Sequence, residues 1–120
     1  MSAKSFKTVT QDLSKGLAQF RGQVPDVQAA FSSLHHAAMK DGALDGLTKE
    51  LIALAIGVAA RCDGCIGFHT QALIKLGVTK AQLAEMLGVA VMMGGGPSLM
   101  FAAERSEERR VGKECLRLCR

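Results

Sequence analysis

The residues best suited to chemistry lie in one short segment, where Cys62-Asp63-Gly64-Cys65 is followed four residues later by His69. The thiolate is the reactive form of cysteine, and a helix N-terminus or a neighbouring imidazole favours it. Residues four apart on a helix share a face, so His69 can accept the proton of Cys65 directly or through water. One helical turn also brings the two sulfurs within disulfide reach. The segment predicts a redox-active thiol pair served by a histidine.

A carboxylate, Glu50, lies on the predicted helix before the cysteines, one position ahead of an apolar run. If it faces His69, it can orient the imidazole and favour its protonated form. Simpler interpretations stay open: the cysteines as small buried hydrophobic residues, His69 as a core histidine, and Glu50 as a solvated first-turn residue. Zinc binding by Cys62, Cys65 and His69 is a further alternative, although a structural zinc site takes four ligands.

The composition indicates one domain with an aliphatic core. The chain has 120 residues, of which 48% are hydrophobic and only 4% aromatic. The N-terminus lacks the apolar segment of a secretory signal, and the longest apolar run, residues 51–60, falls short of the roughly 20 residues that cross a bilayer. We therefore expect a cytoplasmic protein without a membrane partner. In that compartment a close cysteine pair favours catalysis or metal binding over a structural disulfide.

The formal charge of +4 is unevenly distributed and does not indicate a nucleic-acid partner. Residues 1–104 carry nine basic and eight acidic side chains, whereas residues 105–120 carry six and three. The segment from Arg105 to Cys115 resembles the translation of a common DNA-sequencing adapter. We expect a helical domain over 1–104 and a non-native tail over 105–120, the alternative being a genuine basic helix end. Cys115 and Cys119 accordingly receive no role.

Caps and breakers predict an all-α fold of about six helices, with no strand pattern. The predicted helices are Thr8 to Arg21, one opening at Pro25, Lys49 to about Ala60 capped by Thr48, Cys62 to Gly77, one opening at a Thr79-Gln82 capping box, and one from Pro97. The third is apolar nearly all round, which predicts burial by its neighbours. Adjacent His35 and His36 point in different directions on a helix and are predicted to be surface or interface residues without a catalytic role.

At this point the sequence resembles the AhpD-like alkylhydroperoxidase group of the carboxymuconolactone decarboxylase family. The matching features are the helix Lys49–Ala55, the Cys62/Cys65 pair, His69 after three further residues, and Ala72-Leu73 followed by Gly77. The resemblance covers roughly residues 24–104. It implies a compact all-α bundle with the cysteines at a helix N-terminus, assembled as a trimer or hexamer. Family decarboxylases lack the cysteine pair, so its presence favours the redox branch.

The resemblance also implies roles for the four residues. Cys65 would attack a peroxide and become a sulfenic acid, Cys62 would resolve it to a disulfide, and His69 and Glu50 would relay the proton. A dithiol such as a dihydrolipoyl protein would reduce the disulfide, and no cofactor or metal is expected. Two alternatives are a redox-sensing or thiol-exchange oligomer with little turnover, and a lactone-acid decarboxylase as in other family members.

Overall fold

Six helices make up the part of the chain that the structure describes. The computed structural model describes residues 5–107, with only the backbone for residues 104–107. The helices are α1 Phe6–Gln23, α2 Pro25–Met39, α3 Gly46–Ala59, α4 Asp63–Lys75, α5 Lys80–Gly94 and α6 Gly96–Glu107. Within this range there is no strand, and none of the helices is long and apolar enough to cross a membrane. The predicted all-α class and helix number are confirmed.

The helix starts follow from side-chain caps. Ser5 caps α1 by accepting a hydrogen bond from the Thr8 backbone N–H at 3.1 Å, so α1 begins two residues before the predicted start. At α5 the predicted capping box is present, with Thr79 and Gln82 each accepting from the other's backbone N–H. These side chains satisfy N–H groups that have no partner inside a helix.

The predicted cap of α3 was wrong. The N-cap is Asp45, whose carboxylate accepts from the Thr48 backbone N–H at 2.8 Å, and the helix begins at Gly46. Thr48 is therefore the third residue of the helix and not its cap. Asp and Thr are both good N-caps. An N-cap side chain accepts a hydrogen bond from the backbone N–H two or three residues later, and here Asp45 accepts from Thr48, three residues later.

The core forms where α3 packs against α4 and α5. Leu54 of α3 and Ile66 and Leu73 of α4 are almost completely buried. The rest of the core cluster comes from α1, α3, α5, α6 and the α4–α5 loop: Phe6, Val58, Val78, Leu83, Met86, Ala90 and Ala102. The buried aliphatic side chains of α3 and α4 therefore pack these two helices against each other. The candidate site lies at this helix–helix contact.

A single copy of the chain leaves much apolar surface uncovered. Contrary to the prediction that neighbours bury α3 on all sides, Ile52 and Ile56 are exposed, Ile56 by 63%. The predicted apolar stripes of α1 and α2 are exposed as well, at Leu13, Leu17, Phe20, Val27, Phe31 and Leu34. The periodicity identified the helices, but their apolar faces do not all point into the core of one copy.

Candidate functional site

The turn between α3 and α4 places the cysteine pair. Arg61 adopts a left-handed conformation, with φ of 56°, and its N–H donates to the Val58 carbonyl at 3.1 Å. The N–H of Cys62 donates to the Gly57 carbonyl at 2.9 Å. These two bonds form the Schellman arrangement that ends many helices. Because Cys62 is also the N-cap of α4, one residue both completes the end of α3 and starts α4.

The sulfurs of Cys62 and Cys65 lie at disulfide distance, with the two Cα atoms 5.2 Å apart. The Cys65 backbone N–H donates to the Cys62 sulfur at 3.2 Å, and both residues are half-buried. The N–H groups of the first turn and the positive end of the helix dipole favour negative charge here. The sulfurs therefore occupy an environment that stabilises a thiolate.

Three glycines allow the neighbouring helices to approach this turn closely. A Cβ atom on Gly57 of α3 would lie 3.1 Å from the Cβ of Cys65. A Cβ on Gly64 would collide with the side chain of Leu13, and one on Gly67 would lie 2.5 Å from the Thr10 methyl group of α1. Sequence reasoning gave these glycines no individual role, because each is needed for a helix contact that spacing does not reveal.

Glu50 and His69 are in direct contact across the α3–α4 interface. Nδ1 of His69 lies 2.6 Å from Oε2 of Glu50. Glu50 is buried, whereas the His69 side chain keeps 22% of its surface exposed. With the carboxylate ionised, the Nδ1–H donates to Glu50 and the second ring nitrogen, Nε2, is left to exchange a proton. Because Glu50 is buried, it is not a solvated first-turn residue. Its carboxylate faces His69, which was the condition set for it to orient the imidazole.

His69 also has a neighbour that the sequence did not indicate. The ring of His35, on α2, stacks on the ring of His69 with centroids 6.4 Å apart and planes inclined by 30°. His36 contacts His35 edge-on at 5.8 Å. His35 and His36 are exposed, as predicted, but His35 lies beside the candidate site. No sequence signal could have found it, because only the packing of α2 brings it near His69.

An open cleft of about 450 Å³ borders three members of this group, His35, His36 and Glu50. Its walls come from the end of α2, the following loop, the start of α3 and the end of α4: His35, His36, Met39, Lys40, Asp41, Gly46, Glu50 and Leu76. Lys49 links the start of α3 to the end of α2: its Nζ donates to the Ala38 carbonyl at 2.9 Å and also to the Lys40 carbonyl. Glu50 is thus buried in the protein yet borders a space that a small molecule can enter.

The zinc alternative finds no support in the geometry. Among the described side chains, those of residues 5–103, the His, Cys, Asp and Glu residues form no group of three or more that could hold a metal ion. Cys62 and Cys65 are paired with each other, and His69 is paired with Glu50. Cys115 and Cys119, the other conceivable ligands, lie outside the described residues, as does most of the predicted non-native tail over 105–120.

Comparisons with known proteins agree on one family. Residues 25–108 match the model of the carboxymuconolactone decarboxylase family. An uncharacterized protein of Cupriavidus necator is 38% identical over 103 residues, covering 80% of this chain and 91% of that protein. An uncharacterized protein of Methanocaldococcus jannaschii is 30% identical over 97 residues, covering 78% and 91%. The crystal structure of a carboxymuconolactone decarboxylase family protein from Legionella pneumophila, in its apo form, superimposes with a TM-score of 0.83 at 50% identity, covering 96% of this chain and 97% of that one.

Proposed function

The chain belongs to the carboxymuconolactone decarboxylase family, and on that premise we propose that it is a thiol peroxidase that reduces alkyl hydroperoxides through Cys62 and Cys65. One observation supports this above the others: the cysteine pair opens α4, and the same helix carries His69 in contact with buried Glu50. A nucleophile, a proton acceptor and a group that orients the acceptor are the components of activated-nucleophile catalysis.

In the first step His69 accepts the proton of Cys65, and Glu50 stabilises the resulting imidazolium. The Cys65 thiolate attacks the terminal oxygen of the hydroperoxide, an S–O bond forms, and the O–O bond breaks. The alkoxide that leaves takes the proton from His69 and departs as an alcohol. Cys65 is then a sulfenic acid, and the peroxide has received two electrons.

In the second step the Cys62 thiol attacks the sulfur of the Cys65 sulfenic acid. A disulfide forms and water leaves. An external dithiol then attacks the Cys62 sulfur and, through a mixed disulfide, leaves as its own disulfide while both cysteines return to thiols. One hydroperoxide and one dithiol are converted to an alcohol, water and an oxidised dithiol. Since a dihydrolipoyl group is such a dithiol, a protein carrying it is the reductant we propose.

The test is multiple turnover of an alkyl hydroperoxide with dihydrolipoamide as reductant. We expect turnover by the wild type and loss of it in Cys65→Ser, because the serine hydroxyl is neither acidic nor soft enough to attack the peroxide. Cys115→Ser and Cys119→Ser are matched controls that remove a thiol elsewhere and should keep the rate. Undiminished turnover by Cys65→Ser would exclude this function.

A second candidate, decarboxylation of a lactone acid, is favoured by the family match itself and uses no thiol. The Glu50–His69 pair could move a proton in that reaction as well. Activity that survives in a Cys62→Ser/Cys65→Ser double variant would support it. A third candidate, a redox sensor with little turnover, would form the disulfide once with peroxide but would not cycle with the dithiol.

A further inference from the structure

His35 lies beside the proposed machinery, and the function proposed above does not use it. It lies on α2, whereas Cys65 and His69 lie on α4 and Glu50 on α3. Its ring faces that of His69 with 6.4 Å between centroids and 30° between planes. His36, the next residue along the same helix, lines the same cleft but has its ring contact with His35.

The two contacts of His69 restrict different motions of its ring. The hydrogen bond between Nδ1 and Glu50 fixes one corner of the imidazole. A single such bond leaves the ring free to rotate about the axis through that contact, and the partly exposed side chain has room to do so. The ring of His35, inclined by 30° with its centroid 6.4 Å away, stands in the path of this rotation. Together the two contacts fix the direction in which Nε2 points.

We propose that His35 is a positioning residue that holds the His69 ring in the plane needed for proton exchange with Cys65. This inference rests on the proposed function, because the proton exchange belongs to the peroxidase cycle. His35 acts through the face of its ring and not through its own proton. A phenylalanine in its place should therefore preserve the effect, and an alanine should remove it.

The kinetic test compares three variants in the turnover of an alkyl hydroperoxide with dihydrolipoamide. For His35→Ala we expect kcat to fall about tenfold with little change in KM, because misplacement of a catalytic group weakens the chemical step. His35→Phe should restore most of the rate. Ser33→Ala is the control, since it shortens an exposed side chain on the same helix that does not line the cleft, and it should behave as the wild type. A wild-type kcat in His35→Ala would overturn the proposal.

A readout that needs no turnover separates this inference from the proposed function. In the NMR spectrum of the oxidised protein, the carbon-bound ring protons of His69 should shift in His35→Ala, remain perturbed by a ring current in His35→Phe, and not move in Ser33→Ala. An unchanged His69 spectrum in His35→Ala would contradict the stacking and with it the inference. If the wild type reduces no peroxide, the proposed function is wrong. The positioning role in proton exchange with Cys65 is then wrong as well, even if NMR shows the contact between the two rings.

Discussion

At the scale of single residues, the proposed chemistry depends on a hydrogen bond between two helices. Glu50 of α3 is buried, and its described polar partner is Nδ1 of His69. A carboxylate in this position fixes the tautomer of the ring and stabilises the imidazolium that forms when the ring accepts a proton. In the proposed mechanism Glu50 therefore acts on the thiol through His69, as a positioning and charge-stabilising group.

Glu50→Gln should lower kcat/KM for peroxide reduction by roughly tenfold to a hundredfold. This is less than the full rate enhancement from general acid–base catalysis, because His69 itself is retained. The amide keeps the size and a hydrogen bond but cannot offset a positive charge on His69. Steady-state kinetics measure the effect, with Glu85→Gln on the exposed surface of α5 as the control. Equal rates in the two variants would remove Glu50 from the mechanism.

Sequence spacing was sufficient to propose residues that share one helix, but not the residues that other helices bring beside them. Cys62, Cys65 and His69 could be proposed from spacing because they share one helix, and helical geometry relates residues on a helix to each other. Glu50 could be proposed only conditionally, since its approach to His69 depends on how α3 packs against α4. His35 was assigned no role, because a contact made by a third helix leaves no local pattern in the sequence.

At the scale of helices, the connection from α3 to α4 determines where the cysteines lie. Both α3 and α4 end in the same Schellman arrangement, the first with Arg61 and the second with Gly77 in the left-handed conformation. Glycine adopts this conformation without strain, whereas a residue with a side chain pays about 1–2 kcal/mol. The turn that precedes the cysteine pair is therefore the more strained of the two.

Arg61→Gly should stabilise the protein by roughly 0.5–1 kcal/mol, since relief of the backbone strain outweighs the entropy that glycine loses on folding. The reciprocal variant Gly77→Ala should destabilise it by about 1 kcal/mol. Denaturant unfolding of the three proteins measures both changes. If Arg61→Gly were as destabilising as Gly77→Ala, the strain assigned to the turn would be absent.

The N-terminus of α3 provides a pH-dependent contribution to stability. Hydrogen bonds from the Thr48 backbone and side chain lower the pKa of Asp45 below its usual value. A lowered folded-state pKa means that the contribution is present above the unfolded-state pKa and is lost as the pH falls through the folded-state pKa. Asp45→Asn should therefore have a lower Tm than the wild type at about pH 6, and the difference should shrink towards about pH 3. A difference in Tm that is constant with pH would contradict this.

Helix boundaries illustrate which local signals suffice. The Thr79-Gln82 capping box and the glycine after α4 were predicted correctly, because the residues that bond to each other are close in sequence. The cap of α3 was not, because Asp45 and Thr48 are both acceptable caps and only the backbone geometry distinguishes them. The start of α6 at Gly96 instead of Pro97 differs by one residue, which is within the usual uncertainty of helix ends.

At the scale of the whole molecule, the exposed apolar residues are the main feature that one copy leaves unexplained. Val27, Phe31 and Leu34 form an exposed strip along α2, with Phe31 64% exposed. Contiguous apolar surface of this kind is uncommon on monomers and typical of interfaces. Self-assembly, as the trimer or hexamer suggested by the family resemblance, remains a prediction, as do the cytoplasmic location and the non-native tail over 105–120.

Phe31→Glu should shift the protein to a smaller assembly, because burying the new charge against a second copy is unfavourable. Size-exclusion chromatography with light scattering measures the mass. Gln19→Glu is the control, as it adds the same charge at an exposed position of α1. A wild type that is already monomeric, or an unchanged mass for Phe31→Glu, would show that the α2 strip is not an interface.

The most direct test of the account is the mass of one peptide after a single exposure to peroxide. Trypsin cleavage after Arg61 and Lys75 releases residues 62–75, which contain both cysteines. After reduction and one equivalent of alkyl hydroperoxide, this peptide should lose two hydrogens in the wild type, and in Cys62→Ser it should gain one oxygen at Cys65 that a sulfenic-acid probe captures. If the peptide keeps both thiols while the peroxide is consumed, or if the peroxide is not consumed at all, the thiol cycle proposed for this protein is wrong.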